Sequence, residues 1–252
     1  MTGQSPAPDR LAPQSAVAAP LLRVSDVRVT YRNGAVGVEG AGLTVEPGQI
    51  VAVVGRNGAG KTSTLRSIAG FLRSEHVKVA GSVQVRGREL AGRPPAKSFK
   101  AGVVLVAERD KVFSELTVQE HLRLVWRAGA DTPTQFPALE NLRGRRAGLL
   151  SGGERQMLAL ELAYRHKPSL MLVDEMSLGL APVVIRTLMP QLRDLVESTG
   201  AGLVLVEQDI VNALQVADYV YVLDHGLPVW EGPAADTSAE ELGRRFLGAA
   251  VS

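Results

Sequence analysis

The sequence predicts an α/β fold built around a buried sheet. Four short runs are almost entirely apolar and rich in valine and leucine, as expected for strands that are buried on both faces. They lie at residues 49–54, 102–107, 169–175 and 201–206. A glycine-rich loop joins the first run to a segment with helical spacing, and the third run ends in two carboxylates. Because ligands of open α/β sheets bind at the ends of such strands, these features also predict where a functional site lies.

The chain before the first buried run is expected to form a tail and two strands. Residues 1–20 are rich in Ala, Pro, Ser and Gln and lack the pattern of a signal peptide, which favours a disordered tail. Residues 21–31 have the alternation of an extended chain, and residues 43–45 precede a Glu-Pro-Gly turn. Tyr31 is either a half-buried strand residue, which composition favours, or a ring on which an adenine could stack.

A phosphate-binding loop is predicted after the first buried run. It fits the pattern of a glycine, four residues and Gly-Lys-Ser/Thr, and it consists of Gly55, Arg56, Asn57, Gly58, Ala59, Gly60, Lys61, Thr62 and Ser63. Glycines let backbone N–H groups approach an anion, and the helix that begins near Gly60 points its positive dipole end at the same place. Lys61 would bind the β- and γ-phosphates, and the Thr62 hydroxyl would hold Mg²⁺. A turn with a chance lysine is the alternative, but the strand before and the helix after the loop favour nucleotide binding.

The middle of the chain is expected to alternate between strands and helices. Residues 81–87 resemble a strand that returns to the first sheet, and residues 116–128 and 138–142 are predicted to be helical. Glu108 lies just past the buried run 102–107, at the end of a strand where ligand-binding groups gather.

Two capping boxes predict helix N-termini in this part of the chain. Thr117 and Glu120 have the spacing of such a box at the start of the first of those helices. Ser151 and Glu154 have the same spacing, and a helix is expected from there to about residue 166. Two glycines before a helix also form a backbone site for an anion. A simple helix start is the alternative, but together with the phosphate loop the pattern favours a second anion-binding motif, which comprises Ser151, Gly152, Gly153 and Glu154.

The strand at residues 169–175 ends in Asp174 and Glu175, the carboxylates that a phosphate loop requires. Asp174 would belong to the Mg²⁺ shell, and Glu175 would be free to orient and polarise an attacking water. A surface Asp-Glu turn is the alternative, which the fully apolar strand disfavours. The two motifs together are typical of a phosphate-loop NTPase, and with the family resemblance described below they predict hydrolysis of Mg-ATP by in-line attack of water.

The last third of the chain continues the alternation of helices and strands. Glu207, Gln208 and Asp209 follow the run 201–206. Helices are expected at residues 182–198 and 210–216, strands at 218–223 and 228–230, and a closing helix, capped by Thr237 or Ser238, at 237–247.

Composition excludes several classes of protein. The 252 residues suffice for one large domain or two small ones, and the absence of cysteine excludes disulfides and thiolate metal sites. A net charge of +2 is a mild basic bias without the Lys/Arg block of a nucleic-acid-binding face, so nucleic acid is not expected as a partner. No apolar run approaches the ~18–20 residues of a membrane helix. Any link to a membrane would therefore come through a partner.

The order of the motifs resembles that of ATP-binding-cassette (ABC) ATPases, in which a phosphate loop, a Leu-Ser-Gly-Gly-Glu signature and an Asp-Glu strand end follow one another. The resemblance runs from about Leu21 to Gly248. It implies one nucleotide-binding domain at residues 21–248, a P-loop NTPase (RecA-like) core with an antiparallel β subdomain and an α-helical signature subdomain at about residues 93–166.

More narrowly, the chain is similar to the ATP-binding subunit of branched-chain amino-acid importers. Most cassette ATPases carry Gln at the position of Glu108 and His at the position of Gln208, whereas the branched-chain type shares both residues with this chain. Four stretches support the similarity, at residues 112–118, 150–159, 177–182 and 205–208.

The resemblance implies further roles for site residues. Tyr31 would stack on adenine, Glu108 would join the Mg²⁺ and water network and relay to a membrane subunit, and Gln208 would sense the γ-phosphate. The signature residues Ser151, Gly152, Gly153 and Glu154 would contact ATP held by a facing subunit.

The resemblance also implies partners and a location. Two cassettes, identical or different, would sandwich two ATP molecules and drive integral membrane permease subunits at the cytoplasmic face of the cell membrane. An extracytoplasmic solute-binding protein would take part indirectly. Two other hypotheses stay open, a soluble cassette ATPase that acts on ribosomes or DNA and a non-catalytic regulatory subunit. Retention of Lys61, Asp174 and Glu175 disfavours the second of these.

The chain departs from the family pattern at five positions. They are places where Pro, Gly or Gly-Arg is usual, and they are occupied by Ala107, Arg109, Met176, Glu161 and Leu162. None of them removes a reacting group.

Overall fold

The computed structural model describes residues 19–72, 77–109, 111–125 and 133–247. The tail predicted at residues 1–20 therefore lies, except for its last two residues, outside the described part of the chain.

Strands make up two sheets in this structure. The strands are β1 (Leu22–Thr30), β2 (Val36–Val45), β3 (Ile50–Val54), β4 (Lys78–Val85), β5 (Arg88–Glu89), β6 (Val103–Val106), β7 (Leu170–Asp174), β8 (Gly202–Glu207), β9 (Tyr219–Asp224) and β10 (Leu227–Pro233).

The first sheet is antiparallel and has the order β2-β1-β4-β5. It contains β4, which overlaps the strand predicted at residues 81–87 but begins earlier, at Lys78, and ends at Val85. Its second strand is longer than predicted, because it begins at Val36 rather than near residue 43. Three glycines lower the strand propensity of this stretch, yet pairing with β1 from Val36 to Val45 keeps it extended.

The second sheet has the order β10-β9-β3-β8-β7-β6. β3, β6, β7, β8 and β9 are parallel, and β10 is antiparallel to β9. The register places Val54 beside Glu207 and Val206 beside Asp174. The carboxyl ends of the three central strands, and the loops that follow them, therefore meet at one edge.

Helices cover both faces of the parallel sheet. They are α1 (Lys61–Ala69), α2 (Pro95–Lys100), α3 (Val118–Leu124), α4 (Gly152–Arg165), α5 (Pro182–Thr199), α6 (Ile210–Leu214) and α7 (Ala239–Leu242). Short 3-10 turns lie at Pro137–Leu142, Ala147–Leu149 and Ala234–Asp236, and a π-helical turn at Gly243–Leu247. The closing helix predicted at residues 237–247 is thus two shorter pieces, capped by Ser238. No helix in the described ranges is both long and apolar enough to span a membrane.

The core forms on the two faces of the parallel sheet, as the alternation of side chains along β7 illustrates. Leu172 is buried in the cluster that contains α1 and the antiparallel sheet. Its neighbours Met171 and Val173 are buried in the cluster that contains α4 and α5. Because every residue of β3, β7 and β8 is buried, the loops at their carboxyl ends have a rigid base.

Candidate functional site

A cavity of about 550 Å³ lies over the phosphate loop, at the carboxyl edge of the parallel sheet. Residues 57–63 line it together with Tyr31, Glu108, Glu175 and Gln208. The structure therefore brings together residues that are far apart in the chain and that the sequence assigns to one site. A larger cavity of about 830 Å³ lies at the opposite edge of the sheet, and none of the predicted site residues lines it.

The phosphate loop packs closely against the backbone of two other segments of the chain. A Cβ atom at Gly55 would lie 2.3 Å from the carbonyl oxygen of Leu223, and one at Gly60 would lie 2.5 Å from that of Gly37. Gly60 also has a φ of 94° and precedes α1 without any side-chain cap. The first turn of the helix consequently offers uncapped N–H groups, the usual donors to a phosphate.

The Lys61 side chain is buried beside this loop. Its Nζ donates to the carbonyl oxygens of Gly55 at 2.8 Å and Arg56 at 3.2 Å, and it lies 3.7 Å from Glu175 Oε1. Burial lowers the pKa of Lys61, while the negative charges of Glu175 and Asp174 act in the opposite direction. The ammonium group is thus held next to the phosphate loop by carbonyl oxygens and a carboxylate.

Thr62 and Asp174 place a hydroxyl and a carboxylate side by side at the cavity. Thr62 Oγ1 donates to Asp174 Oδ1 at 3.1 Å, and Asp174 ends β7 with 4% of its surface exposed. Burial raises the pKa of Asp174 despite the hydrogen bond from Thr62. A divalent cation would offset that burial, and hydroxyl and carboxylate oxygens are ligands that Mg²⁺ prefers. The residues present therefore fit a magnesium ion bound together with a phosphate.

Glu108 also lines this cavity and acts electrostatically on Asp174. Its carboxylate is half-buried and accepts a hydrogen bond from Arg109 Nε at 3.0 Å. Arg109 is itself exposed, so this contact leaves Glu108 accessible from the cavity that it lines.

Glu175 has an unusual backbone that directs its side chain to the cavity. Its φ is 42°, in the left-handed region that residues with a Cβ rarely adopt. The backbone N–H of Glu175 donates to the carbonyl of Val206 at 3.0 Å, and its Oε1 accepts from Gln208 Nε2 at 3.3 Å. A carboxylate held in this way can orient a water molecule and accept its proton.

Gln208 joins Glu175 to the phosphate loop. In addition to its contact with Glu175, Gln208 Nε2 donates to Oδ1 of Asn57. Gln208, the predicted γ-phosphate sensor, therefore lies between the phosphate loop and the predicted base. The sequence did not indicate its contact with Asn57.

Tyr31 borders the cavity near the start of α1. Its hydroxyl is hydrogen-bonded to Ser63 Oγ at 2.7 Å, and a Cβ at Gly37 would lie 2.5 Å from Tyr31 Cε2. The absence of a side chain at Gly37 thus gives the ring its place. Stacking on adenine stays a prediction.

The signature motif lies apart from this cavity within the chain. Ser151 caps α4, with Ser151 Oγ accepting from Glu154 N at 3.3 Å and Glu154 Oε2 accepting from Ser151 N at 2.7 Å. Gly153 packs against α5, since a Cβ there would lie 2.5 Å from Val184 Cγ1. Neither these residues nor Gly152 is among those that line the cavity.

Sequence reasoning missed the role of Glu207. This residue is the last of β8 rather than the first beyond it, and 1% of its surface is exposed. Its Oε1 accepts from the backbone N–H of Ser177 at 3.0 Å and its Oε2 from Ser177 Oγ at 2.6 Å. Burial raises the pKa of Glu207 to about 7. A charged residue directly after the apolar run 201–206 was the available signal.

Three of the departures from the family pattern have a structural explanation. Met176 is 1% exposed and packs in the core beside α5. Glu161 pairs with Arg165 one turn later at 2.7 Å, with both side chains buried, and its second oxygen accepts from the backbone N–H of Gln135 at 2.8 Å. Leu162 packs against the same apolar cluster as Met176. Nothing in the structure explains Ala107.

Comparison with known proteins supports the family resemblance that the sequence motifs indicate. Residues 38–177 match the protein family described as ABC transporter. The high-affinity branched-chain amino acid transport ATP-binding protein BraG of Pseudomonas aeruginosa is 36% identical over 206 residues, which cover 78% of this chain and 86% of the relative. The probable branched-chain amino acid transport ATP-binding protein LivF of Archaeoglobus fulgidus is 32% identical over 206 residues, with the same coverage.

The fold agrees with that of a solved cassette. The crystal structure of an ATP-binding cassette of an ABC transporter, in its ADP conformation, superposes with a TM-score of 0.72 over 86% of this chain and 92% of that one, at 24% identity. The predicted α/β fold of a P-loop NTPase with an added antiparallel sheet is confirmed. The boundaries of a helical subdomain at residues 93–166 stay a prediction.

Proposed function

The chain belongs to the ABC transporter family, and from this premise we propose that it energises an importer of branched-chain amino acids or a related small polar solute. It is an ATP-binding protein and an ATPase of that family. The observation that carries the proposal is the convergence of Lys61, Glu175, Glu108 and Gln208 on one cavity. The resemblance to the branched-chain type rests largely on Glu108 and Gln208, and two relatives named for branched-chain amino acid transport match most of the chain.

In the proposed mechanism, the phosphate loop and Lys61 bind the β- and γ-phosphates of ATP, and Tyr31 stacks on the adenine. Thr62, Asp174 and Glu108 would hold Mg²⁺, which when bound neutralises charge on the phosphate oxygens. Glu175 orients the attacking water and accepts its proton. Gln208 contacts the γ-phosphate from a position already beside Asn57 and Glu175.

A second cassette completes the site in this proposal. The signature residues do not line the cavity of their own chain, and Gly152 and Ser151 are exposed. They are therefore free to contact ATP bound by a facing subunit, identical or different. The partners would be integral membrane permease subunits, with an extracytoplasmic solute-binding protein acting indirectly. The chain would lie at the cytoplasmic face of the membrane.

Co-purification tests this proposal. The tagged Glu175→Gln protein, extracted with detergent and ATP to hold the ATP-bound assembly, is expected to bring with it permease-like membrane proteins and a second cassette. Identification by mass spectrometry and uptake of labelled candidate solutes would then define the substrate. Tagged Lys61→Ala, treated in the same way, is the matched control and is expected to retain less of the second cassette.

Ribosomal proteins or DNA in place of any membrane protein would overturn the importer hypothesis in favour of a soluble cassette ATPase.

A further inference from the structure

Glu207 and Gln208, at the end of β8, hydrogen-bond to the turn formed by residues 175–177, which carries Glu175. Gln208 Nε2 donates to Glu175 Oε1 at 3.3 Å. Glu207 holds the other end of the turn, because its two carboxylate oxygens accept from the backbone N–H and the hydroxyl of Ser177 at 3.0 and 2.6 Å. Glu207 does not line the nucleotide cavity, so these contacts act on the turn and not on a ligand.

The carboxylate of Glu207 is in an unfavourable place for a charge. It is almost completely buried, and its hydrogen bonds come from neutral groups of Ser177. Two further carboxylates, Glu175 and Asp209, act on it electrostatically, and so do Lys61 and Lys111. Since burying an ionised carboxylate opposes folding, a contribution to stability does not account for this residue.

The backbone of Glu175 provides the second observation. A φ of 42° is disfavoured for any residue with a Cβ and persists only where neighbouring contacts fix it. One fixed point is the bond from Glu175 N–H to the carbonyl of Val206 at 3.0 Å. The other is Ser177, two residues later, which Glu207 holds through two hydrogen bonds. The direction of the Glu175 side chain thus depends on where Ser177 is held.

We propose that Glu207 is a positioning residue for ATP hydrolysis, which holds Ser177 so that Glu175 faces the phosphate loop. The inference rests on the hydrolytic role proposed for Glu175 and is independent of the transported solute. In this arrangement Glu207 acts through hydrogen bonds to Ser177, and a side chain that preserves those bonds can replace it.

Two substitutions separate positioning from charge. Glu207→Leu keeps a similar volume but removes both hydrogen bonds, so the turn is released. Glu207→Gln removes the charge but can still accept from Ser177 N–H through Oε1 and donate to Ser177 Oγ through Nε2. Because Ser177 is only half-buried, water can solvate its polar groups in the Leu variant, which is expected to fold.

The experiment is steady-state ATP hydrolysis by the purified full chain. Glu207→Leu is expected to lower kcat about 10–100-fold, as a small misplacement of a reacting group does, with KM for ATP changed less than about threefold. Glu207→Gln is expected to restore most of that loss. The amide hydrogen of Ser177 should exchange faster in the Leu variant than in the wild type and the Gln variant. Asp209→Asn, which removes a neighbouring charge and keeps the cap of α6, is expected to keep the wild-type rate.

A wild-type kcat in Glu207→Leu would overturn the proposal. An equal loss of kcat in the Gln and Leu variants would also overturn it, because it would indicate that the charge of Glu207, and not its hydrogen bonds to Ser177, supports hydrolysis. Should Glu207→Leu not fold, Ser177→Ala removes the shorter of the two bonds, and a wild-type rate there overturns it as well. Glu175→Gln is measured in parallel. Full activity in that variant would refute the role of Glu175 itself, whereas its inactivity beside a fully active Glu207→Leu would refute only the present inference.

Discussion

At the scale of single residues, the site depends on a few buried polar side chains with defined partners. Lys61 is held by two carbonyl oxygens, and Asp174 by the hydroxyl of Thr62. Glu175 has a strained backbone and two polar neighbours, Gln208 and Lys61. Since each side chain has defined partners within the chain, changing one atom tests its role without rearranging the fold.

Glu175→Gln is expected to slow ATP hydrolysis by roughly 10²–10⁴, the usual effect of losing a general base. The amide keeps the size of the side chain but cannot accept the proton of the attacking water. Binding of ATP, measured by equilibrium titration, is expected to stay close to that of the wild type. Turnover near the wild-type rate would show that another group activates the water.

The buried carboxyl of Glu207 gives the folded state a distinct dependence on pH. Burial raises the pKa of Glu207 from 4.5 to about 7 in the folded protein, against the effect of the hydrogen bonds from Ser177. The folded state therefore binds the proton more tightly than the unfolded state, and the stability that results is present below about pH 4.5 and lost as the pH rises through 7. A shift of this size corresponds to at most about 3 kcal/mol. Relative to the wild type, Glu207→Gln should become more stable between pH 5 and pH 8, as measured by urea unfolding.

Glu89→Gln is the matched comparison for this measurement. Burial acts to raise the pKa of Glu89, but hydrogen bonds from Ser82, Val83 and Ala91 lower it overall. The ionised Glu89 side chain contributes stability above the pKa that it has in the unfolded state, and this contribution is lost as the pH falls. The difference in unfolding free energy between Glu89→Gln and the wild type should therefore shrink toward low pH. A Glu207→Gln protein whose stability follows the wild type between pH 5 and pH 8 would contradict the assignment of a buried ionisable group.

At the scale of elements, the strands and helix starts that depend on local sequence were predicted correctly. The buried strands β3, β7 and β8 follow from continuous apolar runs, and both capping boxes, at α3 and α4, form as their spacing indicates. The prediction was less accurate where tertiary contacts decide. The glycine-rich start of β2 is extended because β1 pairs with it.

The same distinction applies to the candidate site. The phosphate loop and the strand-end carboxylates are local patterns and were predicted, whereas the contacts of Asn57 with Gln208 and of Ser177 with Glu207 join residues 151 and 30 positions apart. A pattern in the sequence cannot indicate which distant polar side chains meet, because that depends on the order and register of strands. The parallel register of β3, β8 and β7 is what brings these pairs together.

The two capping boxes allow a prediction at this scale. Ser151→Ala and Thr117→Ala each remove a cap from a helix with the same box, and each is expected to cost about 0.5–2 kcal/mol of stability. Hydrolysis should fall only in Ser151→Ala, since only that serine belongs to the signature motif. Unfolding in urea and steady-state turnover, measured on both variants, make the comparison. An equal loss of turnover in both would mean that Ser151 acts through stability alone.

At the scale of the whole molecule, the nucleotide site lies at the junction of the two sheets. Tyr31 follows the last residue of β1 in the antiparallel sheet, whereas the phosphate loop and the carboxylates follow strands of the parallel sheet. The hydrogen bond between Tyr31 and Ser63 joins these two parts directly. A nucleotide bound here would contact both sheets, and its binding energy would therefore stabilise the domain as a unit.

This geometry predicts a large thermal shift on addition of ATP. A ligand at 100 times its Kd stabilises a folded protein by about 2.7 kcal/mol, which for a chain of this length raises Tm by about 5–10 °C. Lys61→Ala is expected to abolish most of the shift, because it removes the cation proposed to bind the β- and γ-phosphates. Lys78→Ala, which removes an exposed lysine on β4, should retain it. Differential scanning calorimetry of the three proteins with and without Mg-ATP makes the test, and a full shift in Lys61→Ala would mean that the phosphates bind elsewhere.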